Sequence, residues 1–257
     1  MLYKEISRVL SFYLLYLALA LGVALGVSAY YEFFVAPEAH PQPHTTMAFV
    51  YSILIDLGLA GIFRLIGHSA VGRLHRREGL AIVVLIWFIT AIVGGLPFYI
   101  SKTFESPVDS YFEAMSGLTT TGASLMLPKK YHEDSGNELP YHKNISGPYE
   151  NEYIYYGTIT PVRDSEGDVT IEGIEAVSKG ILFWRSFMQW LGGMGVVVLF
   201  VAILPALGVG GKVLFHAEAT GPFAESVTPR IKETASLLWK IYLGLTVMET
   251  SLLMITN

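Results

Sequence analysis

The sequence predicts an all-α protein that crosses a membrane several times and carries a small β-hairpin-like insertion outside it. Three observations carry that prediction. Of the 257 residues, 52% are hydrophobic and only 15% are charged, against roughly 25% charged in a soluble domain; mean hydropathy is +0.47. Among the stretches without any charge are 9–31 with 23 residues and 79–100 with 22, and a helix needs roughly 20 apolar residues to cross the hydrocarbon core. Beyond these two stretches, 129–177 is polar and ends in alternating β-branched and aromatic residues around Asp-Ser-Glu-Gly-Asp, a hairpin pattern. The lack of cysteine excludes thiolate metal sites, disulfides and cysteine nucleophiles. A net charge of −5 offers no basic surface for nucleic acid.

The first span, 9–31, exceeds the apolar core of about 7–15 residues in a signal peptide, so it reads as a retained helix. The charge-free stretch 79–100 is the third span. Three further spans are less pure: 47–66 with Asp56 and Arg64, 181–204 with Arg185, and 236–255 with Lys240 and Glu249. The short loops orient them. Lys4 and Arg8 precede span one, Arg64 lies at the end of span two with Arg73, Arg76 and Arg77 after it, and Lys212, Arg230 and Lys232 lie between spans four and five. The turn 32–46 has neither Lys nor Arg. The excess of positive charge on the cytoplasmic side then places the N-terminus and both basic loops in the cytoplasm.

Between spans three and four the chain begins and ends outside. Ser106-Pro107-Val108-Asp109 has serine at the N-cap, proline at N1 and an acid at N3, a helix start. The helix 107–118 would be about 18 Å long, half a membrane. It gives way to Thr119-Thr120-Thr121-Gly122-Ala123-Ser124. Irregular polar backbone at membrane depth is tolerated only inside protein or along a watery cavity. A helix C-terminus favours a cation beyond it, and threonine carbonyls and hydroxyls are hard, uncharged oxygen ligands. Such oxygens can replace the hydration shell of an alkali ion, which marks 119–124 as a candidate selectivity filter. Glu113 and Arg185 are expensive in a membrane unless paired. A brace behind the filter would pair them; alternatively Arg185 reaches the interface.

The stretches YFEAMSGLTTTGAS and ILFWRSFMQWLGGMGVVVLFVAILP resemble the Trk/Ktr/HKT superfamily of cation transporters, the bacterial Trk-type potassium uptake subunit in particular. TPRIKETASLLWKIYLGLTVMET resembles the start of that family's next repeat. The resemblance implies two leading helices followed by four helix–pore-loop–helix repeats of the potassium-channel-like type around one pore. On that template residues 1–78 are the leading helices with their basic loop. Residues 79–210 are the first repeat, with pore helix 107–118, filter 119–124 and exterior insertion 129–177, and 231–257 open a second, incomplete repeat. The family's filter falls on Thr120, Thr121, Gly122 and Ala123, with Thr119 at its inner approach. Glycine at 122, where the plant branch uses serine for sodium preference, implies potassium, with sodium left open as a co-permeant. The likeness further implies an inner-membrane protein without a cofactor, a homodimer of the full-length protein and a cytosolic nucleotide-binding regulatory ring. A chain ending after one repeat is expected to be a fragment or a truncated product.

The remaining residues suggest less. The insertion 129–177 carries ten Asp/Glu against four Lys/Arg, which fits either an exterior cap whose removal is tolerated or an acidic funnel for cations. Asp56 reads as a satisfied packing residue, Gly22 and Gly26 as a close-packing motif, and Gly192, Gly193 and Gly195 as packing glycines. Asn144-Ile145-Ser146 is a glycosylation sequon by pattern. Two rival functions stay open. A non-conducting structural subunit would have the same spans. An intramembrane enzyme would need paired reactive groups, and no span contains them, while His40, His44, His132 and His142 lack metal-ligand spacing.

Overall fold

A computed structural model describes residues 2–70, 76–132, 136–145, 151–206 and 227–256. The molecule is mostly helical: α1 (Leu2–Phe33), α2 (Thr46–Ile66), α3 (Arg76–Ile100), α4 (Pro107–Leu118), α5 (Lys179–Ala206) and α6 (Val227–Thr256). Among the described residues four helical stretches are long and apolar enough to cross a membrane, Tyr3–Phe33, Thr46–Ile66, Ala81–Ile100 and Ser236–Thr256. The expected span 181–204 falls within α5, and its side chains from 196 onward lie outside the described residues. So do Arg73, Lys212 and the sequon's Ser146.

Helices in lipid gain no hydrophobic drive from meeting each other and rely on close packing and interhelical hydrogen bonds. Both devices are present. α1 packs along α2 and also meets α3 and α5. Ser28 of α1 reaches Thr45 (3.0 Å) and Thr46 (3.2 Å), and Thr45 continues to Ser178 at 2.8 Å. Gln42 donates to the Glu175 carbonyl at 2.9 Å. The α1–α2 turn is thereby tied to the start of α5. Trp184, fully buried, donates its indole N–H to the Gly94 carbonyl at 2.9 Å, joining α5 to α3.

The half-length α4 lies against both α3 and α5. Its buried residues Ser110, Glu113, Ala114 and Gly117 recur at helical spacing and form one face. Two glycines make room for it: a Cβ at Gly95 would lie 3.1 Å from the Ser110 carbonyl, and one at Gly192 would collide with the Leu118 carbonyl. Gly193 faces Tyr242, whereas nothing lies within 4 Å of where a Cβ at Gly195 would sit. The Gly22/Gly26 reading is corrected, since a Cβ at either would meet nothing within 4 Å. That face of α1 makes no close helix contact among the described residues.

Between α4 and α5 stand three antiparallel strand pairs: β1 (Lys130–Tyr131) with β2 (Glu138–Leu139), β3 (Tyr141–Ile145) with β4 (Asn151–Tyr155), and β5 (Val162–Arg163) with β6 (Val169–Ile171). The Asp-Ser-Glu-Gly-Asp turn joins β5 to β6, with Asp164 Oδ1 accepting from the Glu166 and Asp168 amides, both at 2.9 Å. The aromatic stretch before it pairs back to 141–145 instead of sharing that hairpin. The expectation of a removable exterior cap holds poorly for the second half of the insertion. Ile159, Ala176 and Val177 are only 2–3% exposed and belong to the same apolar cluster as Trp184 and Phe98.

Candidate functional site

The site grows from the end of α4. Ser106 caps the helix by accepting from the Val108 amide at 3.2 Å, with Pro107 at its first turn. After Leu118 the chain turns sharply, and the Thr120 and Thr121 amides donate back to Gly117 (2.9 Å) and Ser116 (3.0 Å). Thr119 has φ −81°, Thr120 +56° and Gly122 +76°, while Thr121 is not among the positive-φ residues. A positive φ at a threonine is rare because a β-branched side chain crowds the backbone there. Gly122 takes the same region without that cost.

The backbone oxygens divide into two groups. The carbonyls of Thr119, Thr120, Thr121 and Gly122 accept no hydrogen bond from any described residue, and 120–122 are exposed. The Ala123 carbonyl, by contrast, accepts from the Ser116 hydroxyl at 2.6 Å and from Arg185 Nη2 at 3.3 Å. A carbonyl has two lone pairs, so both are engaged, and Ala123 differs in this from the four residues before it. The Thr119 hydroxyl donates to the Met115 carbonyl and contacts the Thr121 hydroxyl, each at 2.8 Å.

Behind this strand Glu113 and Arg185 come together. Glu113 is fully buried and its Oε1 lies 2.7 Å from Arg185 Nε, on a side chain only 11% exposed. Glu113 also accepts from the Ser124 hydroxyl and the Leu125 amide, both at 2.9 Å, and Arg185 donates to Gln189 at 3.0 Å. A buried ion pair offsets its desolvation only when further hydrogen bonds satisfy both partners, and here they do. Asp56 is different: it is fully buried, and neither carboxylate oxygen has a hydrogen-bond partner among the described residues. The expectation of a satisfied packing residue is corrected accordingly. Further along, Lys129 donates to Glu105 at 2.7 Å. That bond holds the ammonium above the usual lysine value and the carboxyl below the usual carboxylate value. No group of three or more His, Cys, Asp or Glu side chains fit to hold a metal ion occurs among the described residues.

Sequence reasoning missed Ser116 and Thr158. Ser116 lies in the segment singled out for its threonines, and its place on the buried face of α4 was readable from helical spacing. Thr158, which contacts the Leu125 and Leu127 backbone, left no comparable signal.

Span-length helices with a short, capped helix packed against them by one buried face define a polytopic helical membrane protein. The family model described as a cation transport protein, TrkH, matches residues 162–256. The chain is 37% identical over 202 residues to the Trk system potassium uptake protein TrkH of Salmonella typhimurium, covering 78% of this chain and 32% of that one. It is 38% identical over 176 residues to TrkH of Vibrio parahaemolyticus (68% and 27%). Against the Trk system potassium uptake protein TrkG of Escherichia coli it is 28% identical over 172 residues (66% and 26%). The chain belongs to the family of Trk-type potassium uptake membrane subunits, whose members are transporters and not enzymes. It spans about a third of the length of the curated relatives it matches.

Proposed function

We propose that this chain contributes one pore loop, a quarter of the pore, to a protein that takes up potassium across the cell membrane. The observation that carries the reading is the run of four carbonyls, Thr119 to Gly122, left without donors at the end of a half-length helix. Oxygens free of other hydrogen bonds can take the place of water around an alkali ion. Thr120 and Thr121 are the central ligands, with Thr119 at the inner approach. Ala123 serves as the point where the strand is fastened. Glu113 and Arg185 act as a brace that fixes the strand from behind. Potassium is the cargo, and no cofactor takes part.

The names of the relatives support potassium as the ion. The distribution of Lys and Arg supports a cytoplasmic N-terminus in an inner membrane. A second copy of the full-length protein and a cytosolic nucleotide-binding ring belong to the same reading through the family likeness.

The test is Gly122→Ser in the full-length protein, assayed in cells that lack their own potassium uptake. A side chain at φ +76° strains the backbone and turns the carbonyls beside it. Preference for potassium over sodium is expected to fall by about tenfold, a shift that roughly 1.4 kcal/mol produces. An unchanged ratio of the two fluxes would remove Gly122 from the filter.

A further inference from the structure

The strand that leaves the free carbonyls is fastened twice, by groups from opposite sides. From the inside, Glu113 accepts the Leu125 amide at 2.9 Å. From the outside, the Thr158 hydroxyl donates to the Leu125 carbonyl and accepts from the Leu127 amide at 3.2 Å. A threonine hydroxyl has one proton to donate and lone pairs to accept with, and both capacities are used on this one strand. The contact continues along the backbone. The Thr158 and Ile159 amides donate to the Leu127 carbonyl at 2.9 and 2.8 Å, and the Lys129 amide donates to the Ile159 carbonyl at 2.8 Å. Ile159, 3% exposed, anchors this segment in the apolar core. Thr158 is thus held by the core and in turn holds the strand, while the hairpins before it reach outward with Tyr153 and Ile154 exposed.

We propose that Thr158, supplied by the exterior insertion, is a positioning residue for ion selection: its hydroxyl fixes the outer end of the filter strand through Leu125 and Leu127. The proposal rests on the reading of 119–122 as filter ligands. Selection among alkali ions of similar charge depends on how far carbonyls can follow a smaller ion. A strand pinned at Leu125 from two sides cannot slide, and the oxygens three to six residues earlier keep their spacing. With the outer pin gone, the Leu125 carbonyl keeps only the Leu127 amide at 2.8 Å, its own amide is held by Glu113 alone, and the ligands can close around sodium.

The experiment uses the full-length protein in cells lacking other potassium uptake, with potassium and sodium influx measured side by side. Thr158→Val keeps the shape and removes both hydrogen bonds; Thr158→Ser keeps both bonds. The valine variant is expected to lower the potassium-to-sodium ratio by about tenfold, the scale of one lost buried hydrogen bond, with the amount of protein in the membrane unchanged. The serine variant is expected to match the parent. Gly122→Ser runs alongside as a measure of the filter itself. If it alters the ratio and Thr158→Val does not, the clamp is overturned and the filter stands. If neither alters it, the filter reading fails and the clamp with it. A valine variant that no longer accumulates in the membrane, or a serine variant that loses selectivity equally, would assign Thr158 to general folding and overturn the proposal as well.

Discussion

Glu113 in α4 and Asp56 in α2 are both completely buried carboxylates, and the molecule treats them in opposite ways. Around Glu113 converge a guanidinium, a hydroxyl and a backbone amide, all within 2.9 Å. Around Asp56 no described residue offers a donor to either oxygen. Both side chains are fully buried, so burial alone does not explain the difference. Polar contacts are concentrated on 119–127, where the backbone is irregular and has no ladder of its own to hold it. In α2 the backbone is satisfied by the helix, and a lone polar side chain can be carried without deciding the local geometry. A bound carboxylate therefore marks the part of the chain whose shape must be imposed from outside.

The largest effect should come from dividing the Glu113–Arg185 pair. Breaking a buried ion pair from one side leaves an uncompensated charge and costs about 3–5 kcal/mol. Glu113→Gln and Arg185→Gln should each lower thermal stability in detergent by that order. The double variant should lose less than the sum, because the second change removes a charge the first has already stranded. Strict additivity in the double-mutant cycle would mean that the 2.7 Å contact carries no coupling, and the brace would have to be abandoned.

Ser124→Ala takes away a single donor from the same carboxylate and leaves the ion pair in place. The hydroxyl donates to Glu113 and accepts from the Met126 amide at 3.1 Å, so one buried amide also loses its partner. A cost of about 1–2 kcal/mol is expected, with amide hydrogen exchange at Met126 rising measurably. Exchange that stays at the parent rate would show that the strand is held without Ser124.

How much of this was readable in the sequence depends on the range of the interaction. Charge-free runs and the Ser106–Pro107 start are local signals, and they mark helices that the structure contains. Glu113 and Arg185 stand out because charge is costly among apolar residues, so each asks for a partner even though they are 72 positions apart. Thr158 asks for nothing. It is one threonine in a polar insertion, 33 residues from Leu125, and no composition or periodicity ties it to that backbone. The Gly22/Gly26 spacing misled for a related reason. A helix that is apolar all round does not reveal which face meets protein and which meets lipid. The detachable-cap expectation fits the second half of 129–177 poorly, because the segment is polar on average while Ile159, Ala176 and Val177 enter the core.

The smallest effect should come from Asp56→Asn, and it is the sharpest test of the comparison. Chemically it is the same edit as Glu113→Gln: a carboxyl oxygen becomes an amide nitrogen, with almost no change in volume. Both positions are 0% exposed, so lost burial cannot separate the two outcomes. The difference that remains is the set of partners. At position 113 the edit strands a guanidinium and leaves the Leu125 amide facing a donor. At position 56 it strands nothing among the described residues, since neither oxygen is engaged. Removing a group without partners has little to lose, and surface-like values within about 1 kcal/mol are expected. Thermal unfolding of the two variants in one detergent decides it. A cost at Asp56 as large as at Glu113 would mean that its carboxyl does have a counterpart, such as a bound cation or a side chain outside the described residues, and α2 would then share the polar support that Glu113 gives to 119–127.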